Sequence, residues 1–256
     1  MTTPPRITRT TAPPAAGMVH LGPGAFFRAF IAPYTTEAMG AGSMDGEDWG
    51  IIAVSLKSPT AREALVPQGC VYTALERGPD GDTSRQVEAI TDVLVAPEDP
   101  LAVLDTMARP EIRVVSLTIT EKGYCHNPRN GGLQTDHPDV AHDIATSDAP
   151  RTALGFLVLA LSRRRDAGIP PFTILCCDNL PANGAMLRQL VTELAAQRDS
   201  AGTSDGLATW IETHVAFPST MVDRITPATT AADLEDFATI SGSYDSALVI
   251  HEPFRQ

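Results

Sequence analysis

The stretch Met18-Val-His-Leu-Gly-Pro-Gly-Ala-Phe-Phe-Arg28 decides how the chain is read. Four mostly apolar residues run into Gly22-Pro23-Gly24, and a segment of helix length follows. Strand, glycine turn and helix, in that order, can hold a dinucleotide pyrophosphate. The glycines let the backbone come close to the phosphates, and the amides of the helix start point at them. Phe27 stands where the full fingerprint has its third glycine. A GxG by itself is equally the mark of a tight turn, so the rest of the chain decides.

Outward from this stretch, strands and helices alternate. Gly17–Gly22 reads as the first strand. Ala25 to about Met39 reads as a helix, with Phe26, Phe30, Ile31 and Tyr34 on or near one face. Pro33 falls inside it and is expected to kink it or delay its start. Ala41–Asp48 is a loop, and Trp49–Leu56 is the second strand. In a dinucleotide fold an acidic residue near the end of that strand takes the ribose hydroxyls. Here Lys57-Ser58-Pro59 follows, either a site tolerant of a 2′-phosphate or an ordinary polar loop. Cys70–Leu75 and Gln86–Val95 are strand-like and enclose the turn Gly78-Pro-Asp-Gly-Asp82, which predicts a hairpin-like excursion.

Asp99-Pro100 opens a helix to about Ala108, with Asp as cap and Pro in the first turn. Glu111–Ile119 is rich in β-branched residues and reads as a buried parallel strand. It ends in Thr120-Glu-Lys-Gly-Tyr124. In an open α/β sheet the chemistry lies beyond the carboxyl ends of the strands, so Glu121 and Lys122 are either site residues or a salt pair in a turn. Asn127–Asp136 is loop, and Asp148-Ala-Pro150 is expected to cap a helix carrying Leu154, Leu157, Val158 and Leu161. Arg163-Arg-Arg165 lies in its last turn, where cations complement the dipole, and Gly168 ends it. Pro171–Cys177 is the next strand. Beyond it, Asn179 is a candidate cap for the helix that follows, and Asn183 sits at the same carboxyl end. Leu207–Val215 and Ala231–Phe237 read as helices and Ala247–Ile250 as a short edge strand. Asp223-Arg224, among apolar residues and prolines, suggests a fixed loop. The whole predicts an α/β, Rossmann-like fold: a mainly parallel sheet flanked by helices, with a small strand excursion.

The chain has 256 residues and a net charge of −12. That charge argues against nucleic acid or an anionic membrane as partner, although a nucleotide needs only a local positive field. No apolar run approaches the roughly 18 residues of a membrane span, and the start lacks a signal-peptide pattern. Residues 1–16, rich in Thr, Pro and Ala, are expected to be a flexible arm ahead of one domain over 17–256. Cys70, Cys125, Cys176 and Cys177 form no CxxC pair. Buried reduced thiols are expected rather than a metal, and the cytoplasm as compartment.

Taken together, six stretches resemble the polyol-specific long-chain dehydrogenases, the family of mannitol dehydrogenase and fructuronate reductase (mannonate oxidoreductase). They are His20–Ala29, Trp49–Pro59, Ser116–Tyr124, Cys177–Gly184, Phe217–Thr230 and Glu252–Gln256. The resemblance implies NAD as cofactor, with NADP as an alternative, held at Gly22, Gly24, Ala25, Phe26, Arg28, Ser55, Lys57, Glu121, Lys122 and Asn179. It implies Asn183, Asp223 and Lys122 in catalysis, no metal, and a sugar alcohol or sugar acid as substrate.

Three departures accompany it. Phe27 and Phe30 replace histidines usual in the family, and the second strand lacks the carboxylate of NAD-specific members, though several sugar-acid members also carry Ser-Leu-(Arg/Lys)-Ser-Pro. The family's catalytic lysine lies in a second, mostly helical domain, in a Lys-x4-Asn-x2-His pattern that neither Lys57 nor Lys122 begins. The chain therefore reads as the cofactor half without its C-terminal catalytic partner. Carbonyl reduction needs a tuned proton donor and groups aimed at the developing oxyanion. Two other readings stand beside it: a non-catalytic NAD(H)-binding module, and a complete small dehydrogenase using Lys122 or Tyr124 as acid.

Overall fold

In the computed structural model, which describes residues 4–41 and 49–254, the apolar runs become eight strands. They are β1 (Ala16–Leu21), β2 (Gly50–Ser55), β3 (Tyr72–Gly78), β4 (Gly81–Val87), β5 (Ile90–Val95), β6 (Val114–Leu117), β7 (Thr173–Cys176) and β8 (Val249–His251). The helices are α1 (Ala25–Ala29), α2 (Ile31–Gly40), α3 (Thr60–Leu65), α4 (Pro100–Ala108), α5 (Pro138–Ala145), α6 (Ala153–Asp166), α7 (Asn183–Ser200), α8 (Leu207–His214) and α9 (Ala231–Ser241). Apart from Ala41, the loop expected at Ala41–Asp48 lies outside the described residues.

Five strands form one sheet in the order β5-β2-β1-β6-β7, parallel throughout. The chain winds outward from β1 to β5, then returns to add β6 and β7 on the other side. The gap between β1 and β6 is therefore the switch point, where open α/β sheets bind ligands. Both faces of the sheet are covered, so its strands read as continuous apolar runs. Val19, Leu21, Ile52 and Val54 pack with Val103, Leu157 and Leu190 of α4, α6 and α7. Met18, Ile51 and Ala53 pack on the opposite side with Phe27, Ile31, Leu65 and Tyr72.

The first helix breaks where Pro33 demands it. α1 ends at Ala29, Phe30 has φ −124° and ψ −79°, and α2 begins at Ile31. Proline has no amide to give the carbonyl four residues back, which is that of Ala29. That oxygen accepts from Arg224 Nη1 instead, and the Arg28 carbonyl accepts from the Tyr72 hydroxyl at 2.7 Å.

The excursion is real but its boundaries differ. β3 and β4 are antiparallel with Gly78 opposite Gly81, so the turn is Pro79-Asp80 alone. The run expected as one strand, Gln86–Val95, splits: β4 ends at Val87, and β5 leaves to pair with β2. β8 joins β3 in parallel and completes a separate sheet, β4-β3-β8.

Other expectations are corrected. α5 was not foreseen. α6 is capped by Thr152, whose Oγ1 accepts from Gly155 N at 2.9 Å, and not by Asp148. Asp143 of α5 reinforces that cap by accepting from the Arg151 and Thr152 amides and the Thr152 hydroxyl. The cap of α7 is Ala182 at φ +48°, not Asn179. The described part of the N-terminal arm is fastened rather than loose. Ile7 N donates to Tyr244 O, and the Arg9 guanidinium donates to the carbonyls of Gly69, Glu88 and Ile90.

Arg164, expected to complement the end of the α6 dipole, is buried. Its guanidinium donates to the carbonyls of Pro170 (2.7 Å), Met107 (3.0 Å) and Arg109 (2.7 Å). It thereby ties α6 to the end of α4 and to the approach to β7. Arg164→Leu leaves these carbonyls without their donor and should lower the unfolding free energy by about 3 kcal/mol in a urea titration.

Candidate functional site

The carboxyl ends of β1, β2 and β6 meet at the glycine turn. Gly22 has φ +92°, and a Cβ there would lie 2.2 Å from the Thr118 carbonyl oxygen, so only glycine fits. Its amide donates to Val54 O at 3.0 Å. Its carbonyl accepts from the Thr118 hydroxyl at 2.8 Å and the Gly24 amide at 2.7 Å. Gly24 differs: a Cβ there would meet nothing nearer than 3.9 Å. Bare backbone at Gly24 is not required by packing. It leaves room beside the start of α1, whose first amides have no acceptor within the helix.

Beneath the turn lies His20, fully buried. Its Nδ1 is 2.8 Å from Ser116 Oγ, and its Nε2 is 2.9 Å from Thr118 Oγ1 and 3.2 Å from Gly22 O. The Thr118 hydroxyl proton goes to Gly22, so the pattern is satisfied by an Nε2–H imidazole that accepts from Ser116 at Nδ1. The ring stacks on Phe27 at 3.8 Å and 9°. Phe27 thus replaces the third glycine with a buried plate under the imidazole. Burial pushes the His20 imidazole down to about 3, against a small opposing effect of the Gly22 carbonyl, so it is neutral.

Above the turn is a cleft of about 490 Å³. It brings together five of the residues expected to hold a cofactor: Gly22, Gly24, Arg28, Ser55 and Lys57. Ser58, Thr60, Thr118, Thr120 and Ser246 join them on its walls. Arg28 is half-buried there. Its Nη1 donates to Pro23 O at 2.9 Å, while its Nε is buried without a hydrogen-bond partner. Among the described residues it forms no ion pair. Burial pushes its guanidinium down, and the Tyr72 phenol and Asp245 carboxylate act the other way. That carboxylate is already occupied by Gln68 and by the Thr73 and Ala247 amides.

The remaining candidates lie elsewhere. Ala25 and Phe26 are half-buried in the first turn of α1, outside the lining of the cleft, and Phe26 stacks on Phe30 at 5.2 Å. Glu121 lines a second hollow of about 420 Å³ with His126, Leu180, Pro181, Met186 and Gln189. Lys122 and Asn179 are exposed and line neither hollow. Asp223 is exposed while Arg224 beside it is buried.

Asn183 is buried at the start of α7. Its Nδ2 donates to Thr220 Oγ1 (2.9 Å), Asp178 O (3.1 Å) and Thr220 O (3.2 Å), and its Oδ1 accepts from Thr220 N (3.0 Å). The amide thus ties α7 to the irregular strap of residues 215–230.

Sequence reasoning missed Asp178, which holds the backbone that follows β6. It accepts from Ile119 N at 2.9 Å, Thr120 N at 3.4 Å and the Tyr124 hydroxyl at 2.6 Å. Thr120 is held at φ +66°. Tyr124 is fully buried, and burial above all drives its phenol far above the ordinary range. Its proton is given to Asp178, and the ring lines neither hollow. The available signal for Asp178 was its place at a strand's carboxyl end. For His20 it was a polar residue inside an apolar strand.

Residues 16–256 match the family described as the mannitol dehydrogenase Rossmann domain. A mannitol 2-dehydrogenase of Pyrenophora tritici-repentis is 42% identical over 242 residues, covering 94% of this chain and 42% of that protein. The Pseudomonas fluorescens mannitol 2-dehydrogenase, solved as a ternary complex with NAD and D-mannitol, superposes with a TM-score of 0.88 at 41% identity. That match covers 95% of this chain and 49% of that one. A substrate-free D-sorbitol dehydrogenase gives 0.86 at 37% identity, covering 98% and 54%. The chain spans about half the length of the curated relatives it matches.

The neutral His20 makes stability depend on pH. The unfolded imidazole titrates near 6.5 and the folded one near 3. Between these values only the unfolded chain takes up the proton. The contribution is therefore complete above pH 6.5 and is lost as pH falls toward 3, reaching about 2 kcal/mol by pH 5. Urea midpoints at pH 7 and pH 5 should show this loss in the parent chain. His20→Gln should lack it, even though that variant is less stable at pH 7.

Proposed function

Because the chain belongs to the mannitol dehydrogenase family through its Rossmann domain, we propose that it is the dinucleotide-binding half of a polyol or sugar-acid dehydrogenase. The reaction class is hydride transfer between a nicotinamide cofactor and a ketose or keto-acid carbonyl. Mannitol with fructose, or mannonate with fructuronate, are the substrate pairs.

The observation that carries this reading is the guanidinium of Arg28. It is half-buried beside the glycine turn, with no carboxylate paired to it among the described residues, in a cleft at the switch point of a parallel sheet. A cation so placed is suited to a pyrophosphate. Gly22, Gly24, Ala25, Phe26 and Arg28 would hold the phosphates, Ser55 and Lys57 the adenosine ribose, and Glu121, Lys122 and Asn179 the nicotinamide side. The cofactor, when bound, supplies or accepts the hydride.

Asn183, Asp223 and Lys122 are the catalytic candidates of this half. None of them, as placed, is a desolvated proton donor: Lys122 and Asp223 are exposed, and the Asn183 amide is bonded to the strap. The acid must come from the polypeptide that makes up the other half of the relatives. Met221, Ile225 and Phe254 are exposed on or beside the strap and suit docking of that half. Four buried free cysteines support a reducing compartment, the cytoplasm. The same absence of a tuned acid favours a second reading, a module that binds NAD(H) without catalysis.

Titration of the chain with NADH, followed by fructose or fructuronate, tests both readings. A change in cofactor fluorescence without turnover is the expected result. Turnover would place a sufficient acid within these 256 residues. No fluorescence change would remove the cofactor reading. Gly24→Ala, whose methyl meets nothing in the protein nearer than 3.9 Å, should weaken NADH by about tenfold while leaving the urea midpoint unchanged.

A further inference from the structure

We propose that Asp178 is a positioning residue for the reacting end of the cofactor, a role that rests on reading the cleft as a dinucleotide site. Its side chain holds the turn that lines the cleft beyond β6, and its own carbonyl holds Asn183.

A dinucleotide lies across the switch point with its pyrophosphate at the glycine turn. One half then extends over β2, toward Ser55 and Lys57, and the other over β6. Beyond β6 the cleft is lined by Thr118, Ile119 and Thr120. Thr120 stands at φ +66° and ψ 159°. Glycine alone visits that region freely, and a residue with a side chain stays there only where its surroundings impose it. Part of that imposition is local, since Thr120 O accepts from Gly123 N at 2.9 Å. The rest comes from the Asp178 carboxylate beyond the end of β7. Its Oδ2 accepts from Ile119 N at 2.9 Å and its Oδ1 from Thr120 N at 3.4 Å. Two consecutive amides are thus turned toward one carboxylate.

The carboxylate is itself anchored. Its Oδ2 also accepts from the Tyr124 hydroxyl at 2.6 Å, and that hydroxyl lies 3.0 Å from Cys176 Sγ. Tyr124 and Cys176 are both buried in the core shared with α6 and α7. On the other side, the Asp178 carbonyl accepts from Asn183 Nδ2 at 3.1 Å, and Ala182 between them is at φ +48°. Two non-glycine residues at positive φ therefore flank one aspartate, one in the cleft and one at the start of α7. Strain of this kind collects where geometry is held for a ligand. Asp178 fixes the Asn183 amide against the lining of the cleft. A reaction that can lose about a hundredfold in rate for roughly 1 Å of displacement needs that alignment.

Calorimetric titrations of the 256-residue chain with NADH and with ADP test this, because ADP spans only the β2 half and the glycine turn. Asp178→Asn keeps the shape of the side chain but replaces one acceptor oxygen by a donor that faces an amide. It should weaken NADH by about tenfold and leave ADP within about twofold of the parent. Tyr124→Phe, which removes only the anchor of the carboxylate, should show the same split at about threefold. Adding Thr120→Gly to Asp178→Asn should recover most of the lost NADH affinity, because glycine holds the turn without strain. Should Asp178→Asn fail to fold, the Tyr124→Phe split decides alone. A merely structural role would move NADH and ADP together. Equal weakening of both ligands, or no weakening of either, overturns the inference while leaving the dinucleotide reading intact. So does a loss that Thr120→Gly does not recover. Binding of neither ligand by the parent chain overturns both.

Discussion

The close approach of Gly22 to Thr118 is the constraint on which the site depends. Two parallel strands, β1 and β6, meet at the point where the sheet changes winding direction. There the chain must turn upward without a side chain, because the Thr118 carbonyl already occupies that space. The backbone groups left unpaired by such a turn must find partners inside the protein. Val54 and the Thr118 hydroxyl supply them from the strands on either side, and His20 completes the set from below. The imidazole is thus part of the scaffold. Its neutrality follows from deep burial, and its orientation from Ser116 at one nitrogen and Phe27 across its face.

The parallel sheet was legible because strands buried on both sides leave continuous apolar runs, and every strand of the main sheet was marked by one. The sheet to which each run belongs was not legible. Gln86–Val95 is one strand-like segment in sequence but serves two sheets, since nothing local records the departure of the chain at Glu88-Ala89. Capping failed for a related reason. Asp148 and Asn179 are good caps by residue type, yet Thr152 takes the position through its bonds to Asp143, and Ala182 takes it at φ +48° with no side-chain bond. An arginine run looks the same whether solvated or inserted, and Arg164 is inserted.

The site divided along similar lines. Gly22, Gly24, Arg28, Ser55 and Lys57 come together because residues at strand ends in a parallel sheet converge, a rule that can be applied before any coordinates exist. Asn183 and Asp223 lie on segments whose course is set by the strap of residues 215–230. The strap covers the open edge of β7 through Ala216, which accepts from Ile174 N at 3.0 Å, and it holds Asn183 through Thr220. No periodicity announces a segment of that kind, because its bonds are to partners far away in sequence.

The break between α1 and α2 also bears on the order in which the molecule is completed. Pro33 frees the Ala29 carbonyl, and the group that satisfies it, Arg224, lies 195 residues later. Arg224 is itself held by the Phe254 carbonyl at 2.8 Å. The helix that borders the cleft is therefore finished by residues some two hundred positions further along the chain. Contacts of such long sequence separation form slowly. Until they form, a nascent chain carries the glycine turn with its neighbouring helix end unsealed. The glycine turn is thus made long before the groups that seal the helix beside it.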